Sequence, residues 1–288
     1  MSLQTLSEWL RCPNCFLPLA PTGVLSLGCP TGHSFDVNKR DYVSLLSGSR
    51  KFIGDSAAML DARDRFQSAG FYSPLREAIS VTVAAERPHG IIDIGCGNGY
   101  YLAAALSASA EGDQAGVPGA LAMDLSPAAV SRTIRTIPHA DGLVADVWSA
   151  LPIRDAAADV ILNVFAPRNA AEFHRVLAPG GLLLVVVPQQ SHLQQLRAAG
   201  LAVAMQADKA RHLVNGLSEH FELEGQRQLS DVLSLSAADV GAVLAMGPSA
   251  HHAGAQAELV ADAPTSVTAS FEIFSFRRRA RNTHGSGF

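Results

Sequence analysis

The sequence predicts an α/β protein: a doubly wound, mostly parallel sheet preceded by a small domain pinned by a cluster of metal-ligand side chains. Three observations carry that expectation. A short apolar strand runs into a turn built on Gly95, Gly97 and Gly99. Strand and helix patterns then alternate from residue 90 to residue 188, the rhythm of a parallel sheet with helices on both faces. Ahead of both, Cys12, Cys15, Cys29 and His33 crowd into less than a tenth of the chain's length near its start.

The totals bound the possibilities. At 288 residues, 48% hydrophobic and 17% charged, the chain can bury one large core and carry a small satellite. The apolar run LLLVVV at 182–187 is too short to span a bilayer. The opening MSLQTLSEWL lacks the basic and apolar regions of a secretory signal, so a cytoplasmic location is expected. Thiols stay reduced there, which argues against reading four cysteines as a disulfide framework. A net charge of −4 gives no global attraction for nucleic acid, so a polyanion would have to be met by local patches.

The spacing Cys12-x2-Cys15-x13-Cys29-x3-His33 gives two short ligand pairs on tight turns, the pattern of a ribbon-like zinc site. CPNC and CPTGH each supply a sharp knuckle, and a tetrahedral ion needs two such knuckles facing each other. A segment of this size cannot build its own core, so the metal would supply much of its folding free energy, about 10–16 kcal/mol in isolated finger peptides. Four protein ligands fill the coordination sphere, which makes the expected role structural. Four unrelated buried side chains are the alternative.

Residues 90–94 read as a buried strand, and Tyr100 onward as an Ala- and Leu-rich helix. A dinucleotide fingerprint would need glycine where Tyr100 stands, so the turn does not match that pattern. What remains is Asp93-x-Gly95-Cys96-Gly97-Asn98-Gly99, similar to the first motif of class I S-adenosylmethionine methyltransferases. GALAMDLSPAAV (119–130) reads as a second strand ending in Asp124, where an acid can accept both ribose hydroxyls, followed by a helix that starts at Ser-Pro. GLVADVWSALP (142–152) reads as a third strand with Asp146 at its end, in reach of an adenine amino group. AADVILNVFAP (157–167) is a fourth strand emptying into Asn163. AEFHRVLAPGGLLLVVVP (171–188) is a helix, a Pro-Gly-Gly turn and a fifth strand. Another kind of nucleotide binder stays open at this point.

Further on, 221–236 and 265–281 alternate in the manner of a final antiparallel pair. Between them AADVGAVLAMGPSAHH reads as a helix that ends in a Gly-Pro loop carrying His251 and His252. Residues 108–119 read as a surface loop.

Taken together, the Cys/His cluster, FDVNKRDYVSLL (35–46), GDSAAMLDARDRFQSAGFYSPL (54–75), DIGCGNGYY (93–101), ADVWSALP, LNVFAPRN, VVVPQQSHL and AMGPSAHH resemble the bacterial 23S ribosomal RNA guanine-N1-methyltransferases (the RlmA group) over nearly the whole chain. NVFAPRN, PQQSHL and AMGPS lean towards the tylosin-resistance branch. The resemblance implies a class I methyltransferase with a zinc-binding RNA-recognition domain at 1–38, a basic and helical bridge at 39–80 and the methyltransferase domain at 81–288. It implies S-adenosylmethionine and structural Zn2+ as cofactors, a hairpin region of 23S ribosomal RNA as partner, and a homodimer with no membrane attachment. It also implies that Tyr72 and His192 lie near the cofactor. From the residues alone, Tyr72 is ordinary packing and His192 a helix-start residue.

Lys39, Arg40, Arg50, Lys51, Arg63 and Arg65 put positive charge beside the cysteine cluster, interleaved with Phe35, Tyr42, Phe52 and Phe66. Over 11–51 the bases, Arg11 included, outnumber Asp36 and Asp41, which suits a phosphate grip. A mixed solvated surface is the alternative, and RRRAR at 277–281 is a second basic candidate. Methyl transfer to guanine N1 requires in-line positioning, a base removed from its stack and a proton acceptor. Asn163 could bond the base edge and Arg168 could stabilise charge on O6, while no residue declares itself as the proton acceptor. Two other functions stay open: a small-molecule methyltransferase with a structural zinc ribbon, and a non-enzymatic zinc-ribbon RNA-binding protein.

Overall fold

A computed structural model describes residues 2–46, 54–111, 116–203, 208–247 and 263–280. The chain opens with helix α1 (Leu3–Trp9), started by a capping box in which Ser2 and Thr5 satisfy each other's backbone N–H groups. Four short strands follow: β1 (Ala20–Gly23), β2 (Ser26–Gly28), β3 (Ser34–Asn38) and β4 (Tyr42–Ser44). Helices α2 (Ala57–Ser68) and α3 (Ser73–Ala85) lead into the alternating region. That region comprises β5 (Gly90–Ile94), α4 (Tyr100–Glu111), β6 (Gly119–Asp124), α5 (Pro127–Thr136), β7 (Asp141–Val144), β8 (Ala158–Val164), α6 (Ala170–Val176) and β9 (Leu177–Pro188). Two helices, α7 (Gln194–Ala198) and α8 (Lys209–Leu217), precede the long strand β10 (Phe221–Ser234), and α9 (Ala237–Ala245) and β11 (Ser266–Arg278) complete the described chain.

All eleven strands form one sheet in the order β1-β2-β3-β4-β7-β6-β5-β8-β9-β11-β10. From β7 to β9 the pairing is parallel, and β11 returns antiparallel between β9 and β10. The strand order reverses at β5, whose neighbours are β6 and β8, so the carboxyl ends of these three strands frame the crevice where such sheets hold ligands. The sequence expectations for β5, β6, β10, β11 and the α9 helix match these elements. The expected Pro-Gly-Gly turn is instead absorbed into an irregular start of β9, with a register slip between Ala158 and Val160.

The cysteine-bearing segment is not a bead on a string. β3 pairs with β4, and β4 runs parallel to β7, with Val43 opposite Leu143. Gly142 makes this pairing possible, because a Cβ there would sit 2.7 Å from the Tyr42 Cβ and 2.9 Å from Val130. Leu6, Trp9, Leu10, Leu19 and Leu27 join Ile92, Leu121, Leu183 and Phe274 in one buried cluster on one face of the sheet. The opposite face is covered by α3, α4 and α9, with Leu75, Leu102 and Val243 among its buried residues. The α1 contact is polar as well: Trp9 Nε1 donates to Asp141 at 3.1 Å and Thr5 Oγ1 to the same carboxylate at 2.9 Å. Arg154 ties this seam by donating to the Leu10 and Leu19 carbonyls.

Candidate functional site

The turn after β5 is held in backbone conformations that suit glycine. Gly95, Gly97 and Gly99 have φ of 87°, 55° and 79°. Space is short as well: a Cβ on Gly95 would meet the Ala166 Cβ at 2.4 Å, and one on Gly99 would meet Thr133 at 2.8 Å. Gly97 N–H donates to Asp124 Oδ2 at 3.0 Å, and Ser126 N–H donates to Oδ1 at 2.9 Å, so the acid at the end of β6 braces the turn. Cys96 is buried beside it. Asp93, in β5, is only 3% exposed and accepts no hydrogen bond from the described residues. Burial, reinforced by the neighbouring Asp124, pushes its carboxyl up to about 8. Asp124 is raised in the same direction, chiefly by burial. Arg63 and two backbone N–H groups offset part of the Asp124 charge, whereas Asp93 has no such cation, so a ligand that brings a positive group and hydroxyl donors fits this edge of the turn. Asp146 lies two residues beyond β7, accepting from Trp148 N–H at 3.0 Å and from Ser149 Oγ at 3.3 Å.

Helix α2 straps this turn. Ser56 caps the helix by accepting from Met59 N–H. The Asn98 amide donates to Asp64 at 2.6 Å and to Gln67 at 2.7 Å. Arg132 of α5 reaches both Asp61 and Asp64. Arg63 pairs with Asp55 at 2.6 Å, donates to the Met246 carbonyl, and lies so close to Gly97 that a Cβ there would meet its guanidinium at 2.7 Å. Sequence reasoning placed Arg63 among the basic residues beside the cysteine cluster, whereas here it pairs with Asp55 at the glycine turn. Asp55 and Gln67 were not singled out as site residues, and their signal was only membership of the 54–75 segment.

The acceptor side is formed by the loop after β8. Asn163 is 0% exposed, and its amide donates to the Ile94 carbonyl at 3.2 Å and the Pro167 carbonyl at 2.9 Å. In this position it ties β5 to the loop and does not present an edge to a base; its Oδ1 is buried with no partner among the described residues. Arg168 is half-buried, donates to the Ala166 carbonyl at 3.1 Å, and has no acidic partner among the described residues. Tyr72 and His192, which only resemblance singled out, do meet: Tyr72 Oη and His192 Nε2 are 3.4 Å apart. His192 Nδ1 accepts from Ser270 N–H at 3.2 Å, so the neutral ring carries its proton on Nε2. Burial, with Arg197 adding repulsion, lowers this imidazole to about 4. Phe271 of β11 backs both rings at centroid distances of 4.9 and 4.8 Å.

The four predicted metal ligands converge. Their ligand atoms lie within 4.8 Å of one another, with Cys15 Sγ to Cys29 Sγ at 3.6 Å, and His33 Nδ1 at 3.4 Å from Cys29 Sγ and 3.6 Å from Cys12 Sγ. Zinc–sulfur bonds of about 2.3 Å in a tetrahedron set ligands roughly 3.8 Å apart, so the donor set and its spacing fit that ion.

The basic residues divide. Lys39, Arg40 and Arg65 are exposed, whereas Arg11, expected in the phosphate grip, is packed on Phe16 and paired with Asp155 and Glu172. The basic run near the end is no tail through Arg279. Arg277 pairs with Glu86 and Glu224, Arg278 donates to the Leu177 carbonyl, and Arg279 to that of Phe221. Arg50, Lys51, Phe52, His251, His252 and Arg281 lie outside the described residues.

A doubly wound sheet with a glycine turn and buried acids at its carboxyl edge defines a class I S-adenosylmethionine-dependent methyltransferase, and a family described as "Methyltransferase domain" matches residues 91–181. Over 251 residues, 85% of this chain and 86% of the relative, the sequence is 42% identical to the 23S rRNA (guanine(748)-N(1))-methyltransferase of Streptomyces fradiae. It is 38% identical over 93% of its length, and 97% of the relative, to a putative 23S rRNA (guanine-N(1)-)-methyltransferase of Micromonospora griseorubida. A similarly named Bacillus subtilis protein is 34% identical over 65% of this chain and 67% of that one. The chain belongs to the 23S rRNA (guanine-N1)-methyltransferase family. No helix among the described residues is long and apolar enough to cross a membrane.

Proposed function

We propose that this protein transfers the methyl group of S-adenosylmethionine to N1 of a guanine in 23S ribosomal RNA, and that Cys12, Cys15, Cys29 and His33 hold a structural Zn2+. One observation carries the reading from fold to chemistry: Asp93 lies buried and without a hydrogen-bond partner among the described residues beside the glycine turn, in a chain whose relatives bear that name. S-adenosylmethionine supplies an electrophilic methyl on a sulfonium. Asp93 suits the ammonium of its amino-acid arm, Asp124 the ribose hydroxyls, and Asp146 the adenine amino group, while Gly95, Cys96, Gly97, Asn98 and Gly99 form the turn over which it lies. Tyr72 and His192 close the cofactor side.

The bond from guanine N1 to the methyl carbon would form as the carbon–sulfur bond breaks and the thioether leaves, with the N1 proton passing to solvent, and the chain's part is to hold the base in line with the methyl group. Arg168, a guanidinium without an acidic neighbour among the described residues, suits the negative charge that develops on guanine O6. Asn163 acts through the loop it ties down. The neutral His192 imidazole presents an N–H at Nε2 and its Nδ1 is taken, so it is not the proton acceptor in this arrangement. Residues 1–38 would recognise RNA, 39–80 bridge, and 81–288 carry the chemistry; a hairpin of the RNA and a homodimer belong to the same proposal.

The test is direct. Labelled S-adenosylmethionine and 23S RNA from a strain lacking this modification should yield a methyl on N1 of one guanine, located by reverse-transcriptase arrest. Label transferred to no RNA, but to a small molecule, would replace this reading with the small-molecule alternative. Light scattering and footprinting on RNA fragments check the dimer and the hairpin.

A further inference from the structure

One side chain at the acceptor end is unexplained by folding. Phe165 follows β8 directly, with its N–H donating to the Val186 carbonyl at 3.1 Å, so it sits where the ends of β8 and β9 meet. Its φ is 56°, the left-handed region, which costs a bulky residue of this kind and which glycine or asparagine would occupy more easily. The ring is not hidden in recompense: it is 44% exposed. Its neighbour Ala166 is pressed against Gly95 of the cofactor turn, so Phe165 stands beside the place where the methyl group would be delivered. Behind it lies an aromatic wall. Phe271 is 5.5 Å from its centroid at an interplanar angle of 44°, and Tyr101 is 6.4 Å away at 75°. Phe271 is in turn fixed by Tyr72 and His192.

A strained backbone, an apolar ring left open to solvent, and a rigid aromatic support behind it describe a platform for a flat partner. An extruded nucleobase is such a partner, since base-modifying enzymes draw their target from the stack and hold it against aromatic side chains. We infer that Phe165 stacks on the target guanine and fixes the plane in which N1 faces the methyl group. The inference rests on the function proposed above. Its ring replaces the stacking the base loses on leaving its helix, and the left-handed backbone points the ring outward from a loop that Asn163 and Ala166 clamp from beneath.

The test uses the full-length protein and a hairpin RNA carrying 2-aminopurine in place of the target guanine. Stacked on Phe165, the probe stays quenched; with Phe165→Leu its emission in the saturated complex should rise at least about twofold, and with Phe165→Tyr it should match wild type. On unmodified RNA, kcat/KM for Phe165→Leu should fall about tenfold, the loss expected for one base–aromatic stack, with S-adenosylmethionine affinity unchanged. Phe165→Gly relieves the backbone and should keep or raise the Tm while losing the same activity, which a merely structural ring would not do. Equal emission from wild type and Phe165→Leu complexes, or full methylation by Phe165→Gly, overturns the inference while wild-type methylation of the guanine leaves the proposed function standing. Wild-type protein that methylates no guanine removes both.

Discussion

On the proposed reading, Asp93 is a buried acid whose state the arrival of the cofactor would change. With its carboxyl raised to about 8 from an ordinary value near 3.8, the folded protein keeps a proton there that the unfolded chain has already released. Between those values the unfolded state binds fewer protons, so the contribution to stability falls as pH rises from about 4 to about 8 and levels off beyond. Asp93→Asn removes the penalty. Its ligand-free Tm should exceed that of wild type at pH 8, the difference shrinking towards pH 5, while its affinity for S-adenosylmethionine falls about tenfold or more through loss of a charged hydrogen bond. Thermal melts across that range with calorimetric titration check both; parallel pH profiles would mean that the buried acid is not the origin of the slope. That Asp93 and Asp124 would stand beside the glycine turn was legible because their offsets from the glycines follow strand ends. Phe165 was not, since nothing in NVFAPRN announces that its second hydrophobic residue turns outward with a positive φ. For Asn163 the position was legible and the direction of the side chain was not: a strand-end amide reads the same whether it faces a ligand or the carbonyls behind it.

At the scale of elements, α2 is the piece whose attachment decides the shape of the site. Two of the fastenings that hold it differ in burial. Asn98 is buried and satisfies the buried Gln67, whereas Arg132 meets Asp61 and Asp64, whose side chains are 61% and 45% exposed. Asn98→Ala leaves a buried acceptor unpaired and should cost about 1–3 kcal/mol. Arg132→Ala removes largely solvated pairs and should cost about 1 kcal/mol or less. Urea denaturation gives the order, and the reverse order would show that the surface network, not the buried amide, anchors the strap. Elements with strong periodicity or caps were readable: the Ser-Pro start of α5, the glycine turn, the β10–β11 alternation. Helix α1 was not, because its opening residues were weighed only as a secretion signal. The role of β4 was hidden for another reason. A three-residue strand whose partner lies far along the chain leaves no local trace.

For the whole molecule, the Cys/His module and the sheet are one mechanical unit. Elemental analysis should find one zinc per chain. Cys29→Ser, or a strong chelator, should remove it and lower the Tm of the entire protein, because β3 and β4 extend the catalytic sheet and Trp9 and Leu10 lie in its core. A metal-free protein with an unchanged Tm would sink the structural role. RNA affinity should decline steeply with salt and cofactor affinity hardly at all. Lys39 and Arg40 are the exposed, described bases beside the module, and reversing both to Glu should flatten the salt slope by about 0.7–0.9 for each phosphate contact they make. An unaltered slope would move the RNA contact elsewhere on the surface.

The pairing of β4 with β7 has a consequence for how the chain is made. Val43 leaves the ribosome a hundred residues before its partner Leu143, and Trp9 precedes Asp141 by a still longer interval. At about 5–20 residues per second the amino-terminal segment waits roughly 5–20 s with its apolar face unsheltered. Metal capture by the two knuckles is a local event that needs nothing downstream. In a nascent chain the ion would therefore arrive first, preserving the order of the earliest residues until the strand that shelters them has been synthesised.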